Sequence, residues 1–146
     1  MKAQGSIVIN AKPEKVWPYL VEPEKVLLWS STYKKFEYVG DQHSGVGTKI
    51  YIEEKAGGPL MKINFEINEW EDNKTLSMRM VSGTGVKSYK QNYLLEKVEQ
   101  GCKLSFMEEV ELPMGFIGKF IGFLGEGMSN STLKKNNQKL KTLVET

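Results

Sequence analysis

In "MKINFEINEW", Met61 to Trp70, apolar and polar side chains take turns. Met61, Ile63, Phe65 and Ile67 fall on one side, and Lys62, Asn64, Glu66 and Asn68 on the other. Successive side chains of a β-strand point to opposite faces, so the pattern describes a strand with one dry face and one wet face, the habit of antiparallel sheets. "EDNK" (71–74) supplies turn-forming residues, and Leu76, Met78 and Met80 carry the apolar side into the next strand. Further strands read at "GTKIYIEE" (47–54), "KSYKQNYLLEKV" (87–98) and "CKLSFMEEVEL" (102–112), with "EQG" (99–101) as a hairpin turn. The middle of the chain is therefore a consecutive antiparallel sheet.

Helices flank this sheet on both sides. A short strand near Ser6 to Asn10 is followed by "PEKVWPYL" (13–20) and "PEKVLLW" (23–29), each with a proline where the first turn of a helix tolerates one. Pro18 removes a backbone donor, so the first of these helices is expected to be short or bent. From Met114 onward the pattern predicts one helix of about 30 residues, near 45 Å long at 1.5 Å per residue. Its second half has a narrow apolar stripe of Leu133, Leu140, Leu143 and Val144, flanked by lysines. Its first half sets Phe116, Phe120, Phe123 and Leu124 beside a stripe of Gly115, Gly118, Gly122 and Gly125. Each interior glycine costs a helix about 1 kcal/mol relative to alanine, so the four together cost roughly 3 to 4 kcal/mol that tertiary contacts must offset. Either another element approaches the bare backbone closely, or the helix is loose enough for its phenylalanines to rearrange around a guest.

Composition excludes several classes of function. A chain of 146 residues suits a single domain spanning 1–146, and 20 Lys+Arg against 18 Asp+Glu are too balanced to argue for nucleic acid. Only twelve positions separate Pro113 from Glu126, and Lys119 is one of them, whereas crossing a bilayer takes about 18 to 20 apolar residues. One cysteine (Cys102) and one histidine (His43) form no metal-binding cluster, so no metal and no cofactor are expected. No Walker loop, GxGxxG, HExxH or GxSxG pattern occurs. The amino terminus has no apolar run of signal-peptide length, and the expected location is cytoplasmic.

The order of one strand, two short helices, an antiparallel run and a long final helix resembles the START-like, or SRPBCC, superfamily. It is most similar to the bacterial polyketide cyclase/dehydrase-like members. The residues that carry the resemblance are "SIVINAKPEKVWPYLVEPEKVLLW" (6–29), "GVGTKI" (45–50) at the third strand, "INEWEDNKTLSM" (67–78) and "YLLEKVEQGCKLSF" (93–106). Many relatives have Gly-Thr where this chain has Gly101-Cys102. The resemblance implies an α+β helix-grip fold: a curved antiparallel sheet of about six or seven strands, two short N-terminal helices, and a long C-terminal helix across the concave face. Between helix and sheet it implies a cavity, which makes the Met114 to Met128 stretch a cavity wall.

Strand parity and the resemblance together give an expected lining. From the sheet come Phe65, Ile67, Met78, Met80, Tyr89, Gln91, Tyr93, Leu95, Leu104 and Phe106; from the helix come Phe116, Phe120 and Leu124. Each of the apolar ones serves equally well as plain core, but methionines and aromatic rings as a set suit an adaptable apolar pocket. Glu108 follows Phe106 by two positions and shares its side. A carboxylate in an apolar cleft is a general acid or base beside a tyrosine hydroxyl, or else a solvated side chain near a strand end. His43 lies in "GDQHSGVG" (40–47), either over a cavity mouth or exposed in its loop.

The expected function is binding of a hydrophobic small molecule, such as a lipid, an isoprenoid or a polyketide-like aromatic. Two alternatives stand beside it: a cyclase or dehydratase using tyrosine and Glu108, and a protein-interaction module like the co-chaperone members of the superfamily. Whether the protein is an enzyme is left open. Gly118 and Gly122 form a small-xxx-small pair that could seat a second subunit's helix, which would make a homodimer.

Overall fold

A computed structural model describes residues 1–112 and 126–146. Seven strands form one antiparallel sheet: β1 (Lys2–Ile9), β2 (Tyr33–Val39), β3 (Lys49–Glu54), β4 (Met61–Glu71), β5 (Thr75–Gly83), β6 (Ser88–Val98) and β7 (Gly101–Glu111). Their order across the sheet is β1-β7-β6-β5-β4-β3-β2, so β1 pairs out of sequence, with the last strand. The α+β helix-grip architecture expected from the sequence is the architecture found.

The strand for which the periodicity names no stretch is β2. Its pairing with β3 shifts register between Tyr33 and Lys35, and a slipped register breaks the alternation that marks the other strands. In β4 the pattern holds: Met61, Ile63, Phe65 and Ile67 are buried.

Pro18 does more than bend the first helix. It divides the segment into α1 (Pro13–Val16) and α2 (Pro18–Val21), each one turn long and each opened by its proline. With α3 (Pro23–Trp29) this makes three short helices rather than two. They are pinned to one another and to the sheet. Trp29 Nε1 donates to the Tyr19 carbonyl at 2.7 Å, the Tyr38 hydroxyl on β2 donates to the Val21 carbonyl, and Trp17 packs edge-on against Trp70 of β4 with centroids 5.4 Å apart.

The C-terminal helix α4 is described over Glu126–Glu145. Leu140 and Val144 enter the core as the sequence stripe requires, and Lys134, Lys135 and Lys139 stay in water. α4 packs over β1 at Gly5, where a Cβ would lie in van der Waals contact with Leu133 Cδ2 at 3.4 Å. The stretch holding Phe116, Phe120, Phe123, Leu124 and the Gly118–Gly122 pair lies outside the described residues, as does the first half of the expected long helix. Among the described residues no helix is long and apolar enough to cross a membrane.

Candidate functional site

The sheet curls strongly, and one set of hydrogen bonds measures by how much. Tyr33 on β2 and Gln91 on β6 lie four strands apart in the sheet, a lateral distance of roughly 19 Å if the sheet were flat. Their side chains nevertheless meet: the Gln91 amide donates to the Tyr33 hydroxyl at 2.7 Å and to the Tyr89 hydroxyl at 3.1 Å. The concave face has closed far enough for opposite strands to touch through their side chains.

At one end of this face is a cavity of about 250 Å3, just under the roughly 300–1,000 Å3 typical of sites for drug-sized ligands. Its walls are mostly apolar, with Trp29 from α3, Met61, Val86, Phe106 and Val110 from the sheet and its loops, and Leu133 and Leu140 from α4. Its polar side is one connected cluster. The Tyr89 hydroxyl lies 3.0 Å from Glu54 Oε1 and 2.9 Å from Glu108 Oε2, and Thr32 Oγ1 donates to Glu54 Oε2 at 2.8 Å. Gln91 joins this group to Tyr33. Among the described residues no buried side-chain polar atom lacks a partner, so the cluster is a finished network rather than a packing fault.

The electrostatics follow from burial. Glu54 is only 7% exposed, and loss of water, reinforced by the negative Glu108 nearby, lifts its carboxyl to about 7 against the bonds from Thr32 and Tyr89. Burial also raises Glu108, and the bond from Tyr89 partly opposes it. Tyr33, Tyr89 and Tyr93 are all pushed up, first by burial and then by neighbouring ionisable groups, so they are neutral hydrogen-bonding phenols in the physiological range. A phenol has one proton to give. Tyr89 can donate to one carboxyl at a time, and the second short O···O contact is favourable only if that carboxyl carries a proton of its own. The geometry therefore suits a pair that holds one proton.

The structure sorts the sequence-derived residues by position on the sheet. Tyr89, Gln91, Tyr93, Leu104, Phe106 and Glu108 border the cavity. Phe65, Ile67, Met78, Met80 and Leu95 do not border it, because parity selects a face of the sheet but not a place on that face. Phe65 stands behind Tyr89, ring edge to ring face with centroids 5.2 Å apart, and Ile67, Met78 and Leu95 fill the core. Met80 is half-buried against that core. Phe116, Phe120 and Leu124 lie outside the described residues. His43 does not border the cavity; it is exposed, stacks on Tyr38 with centroids 4.9 Å apart, and bonds the Gly40 carbonyl. Among the described residues no group of three or more His, Cys, Asp or Glu could hold a metal ion.

Glu54, Thr32 and Tyr33 are the members that sequence reasoning missed. Glu54 had a signal: Ile50, Ile52 and Glu54 alternate with Tyr51 and Glu53, so the same parity that buries the isoleucines turns a carboxylate inward. Tyr33 had none, because its strand begins at the register shift.

A curled antiparallel sheet that grips a C-terminal helix, with a cavity between them, defines the START-like class of proteins. Within it, the chain belongs to the family described as polyketide cyclase / dehydrase and lipid transport, whose pattern matches residues 1–145. Solved structures share the fold. A protein from Thermus thermophilus is 18% identical with a TM-score of 0.80, the match covering 99% of this chain and 97% of that one. A START superfamily protein from Mycobacterium smegmatis is 12% identical with a TM-score of 0.79, over 99% and 97%. Major latex-like protein 151 from Panax ginseng is 10% identical with a TM-score of 0.73, over 100% and 98%. Among curated proteins none matches the sequence.

Proposed function

We propose that the chain acts as a single domain that binds one small, largely apolar molecule between the sheet and the C-terminal helix. The observation that carries this reading is the cavity itself, apolar on most sides and furnished at one end with a hydrogen-bonded Tyr33–Gln91–Tyr89–Glu54/Glu108 cluster. Removing apolar ligand surface from water supplies roughly 25 cal/mol per Å2, and the cluster orients the ligand's polar end. A family described by lipid transport as well as by cyclase and dehydrase activity supports binding of this general kind. A cytoplasmic location belongs to the same proposal, and the single cysteine, Cys102, held as a buried free thiol, supports it.

Native mass spectrometry of the purified protein, followed by organic extraction, tests the reading. A co-purifying apolar molecule near one-to-one supports it. A clean mass that is also unmoved by fatty acids, isoprenoids and flat aromatics would overturn it and point to protein partners.

One observation favours a second reading, an acid–base enzyme. Glu54 titrates near neutrality within a hydrogen bond of Tyr89, as a group that gives and takes protons at physiological pH should. Incubation of the protein with the molecule that co-purifies with it separates the two readings, since a binder returns that molecule unchanged whereas a catalyst converts it and loses that turnover in Glu108→Gln.

A further inference from the structure

The cavity holds two carboxyl groups, and no salt bridge among the described residues engages either. Glu54 on β3 and Glu108 on β7 converge on one hydroxyl from different strands. Among the described residues, the groups that face them from neighbouring elements are neutral: Thr32, Tyr33, Tyr89, Gln91 and Tyr93 on the sheet side, and Asn136 and Asn137 of α4. Among the described residues, the cationic groups bordering the cavity are the Met1 ammonium, which donates to the Val110 carbonyl at 2.7 Å, and Lys55, which is exposed. The salt bridges among the described residues engage Glu22, Glu37, Glu71, Glu111 and Glu145 instead. Among the described residues, Tyr89 is the donor to the Glu108 carboxylate.

A ligand that ends in a carboxylate would bring a third acceptor to a place already short of donors. A neutral alcohol could satisfy one of the two acids. A protonated amine has three N–H donors and a positive charge, and so can bond both carboxylates at once. Aromatic side chains share the cavity with the two acids: Tyr33, Tyr89, Tyr93 and Phe106 all border it.

We propose that this cavity selects a small apolar molecule carrying a protonated amine, whose N–H groups bond Glu54 and Glu108 together. The inference rests on the cavity-binding reading above and adds the chemical class of the ligand's polar end. When the ammonium docks, the proton that the carboxyl pair held passes to solvent; the ligand's charge replaces it, and no covalent bond within the ligand forms or breaks. Binding is then linked to proton release.

Isothermal titration calorimetry with three probes of equal chain length tests this: octylammonium, 1-octanol and octanoate, at pH 7 in two buffers of different ionisation enthalpy. Octylammonium should bind tighter than octanol by about tenfold or more, the value of charge-assisted over neutral hydrogen bonds, and octanoate should bind most weakly. Comparison of the two buffers should show up to about one proton released per octylammonium and none per octanol. In the Glu54→Gln, Glu108→Gln double variant the amine preference should vanish while octanol binding persists; if that variant does not fold, Glu108→Gln alone should reduce the preference. Equal binding of octanol and octylammonium, or a preference that survives the substitutions, overturns the inference and leaves the cavity reading standing. Binding of none of the three overturns both.

Discussion

Glu54 and Glu108 stand four strands apart in the sheet yet lie 3.0 and 2.9 Å from the same atom, the hydroxyl oxygen of Tyr89. Two acids on one donor are stable only with a proton between them, and that fixes how the fold responds to pH.

Glu54 has its carboxyl raised from 4.5 to about 7 in the folded protein, so between those values the folded state holds a proton that the unfolded chain has released. Stability is therefore greatest below that window, falls as pH rises through it, and levels off above about 7, by an amount on the order of 3 kcal/mol. Urea unfolding from pH 4.5 to 8 should show this decline. Glu54→Gln should flatten it and be the more stable protein at pH 8. A wild-type stability that rises over the same range would contradict the shared-proton arrangement.

Gln91 is 1% exposed and bonds both Tyr33 and Tyr89. Gln91→Leu keeps much of the volume but removes the bonds to the buried Tyr33 hydroxyl, while Tyr89 retains Glu54 and Glu108, and should cost about 1–3 kcal/mol. Chemical denaturation measures the loss. A neutral result would mean that the Tyr33 hydroxyl finds another partner.

Gly101 opens β7 with φ near +144°, and a Cβ there would sit 2.5 Å from the Ile9 carbonyl oxygen and 2.6 Å from the Ala11 nitrogen. Both are backbone atoms and cannot step aside. Gly101→Ala should therefore destabilise by roughly 2–4 kcal/mol through combined strain and overlap, visible as a lowered thermal midpoint.

Leu140 is fully buried on α4 and forms part of the cavity wall. Leu140→Ala should cost about 2–3 kcal/mol, the low end for such a truncation because one side of the residue already faces open space. The enlarged cavity should recover part of that loss on adding a longer apolar ligand, read as a rise in thermal midpoint with ligand concentration.

What the sequence determined by itself was whatever depends on neighbours along the chain. The period of two in Met61 to Trp70, the prolines at 13 and 23, the "EQG" hairpin and the stripe from Leu133 to Val144 mark six of the seven strands, two of the helix starts and the buried face of these elements. Each is local, because the alternation of a strand and the loss of a proline's donor act within a few residues. Parity also placed Tyr89, Gln91, Tyr93 and Glu108 on one inner face, a face that the structure shows.

The tertiary structure alone decided which part of that face is cavity and which is core. Phe65, Ile67 and Met78 have the same inward parity as Tyr89 and Gln91, and Met78 is even the cross-strand partner of Gln91, so only their place on the curled sheet separates packing from lining. It also decided that Glu54 meets Glu108. Three whole strands lie between theirs in the sheet, and no local pattern records how tightly a sheet curls, since curvature is the sum of twist and bulges over every strand that separates them.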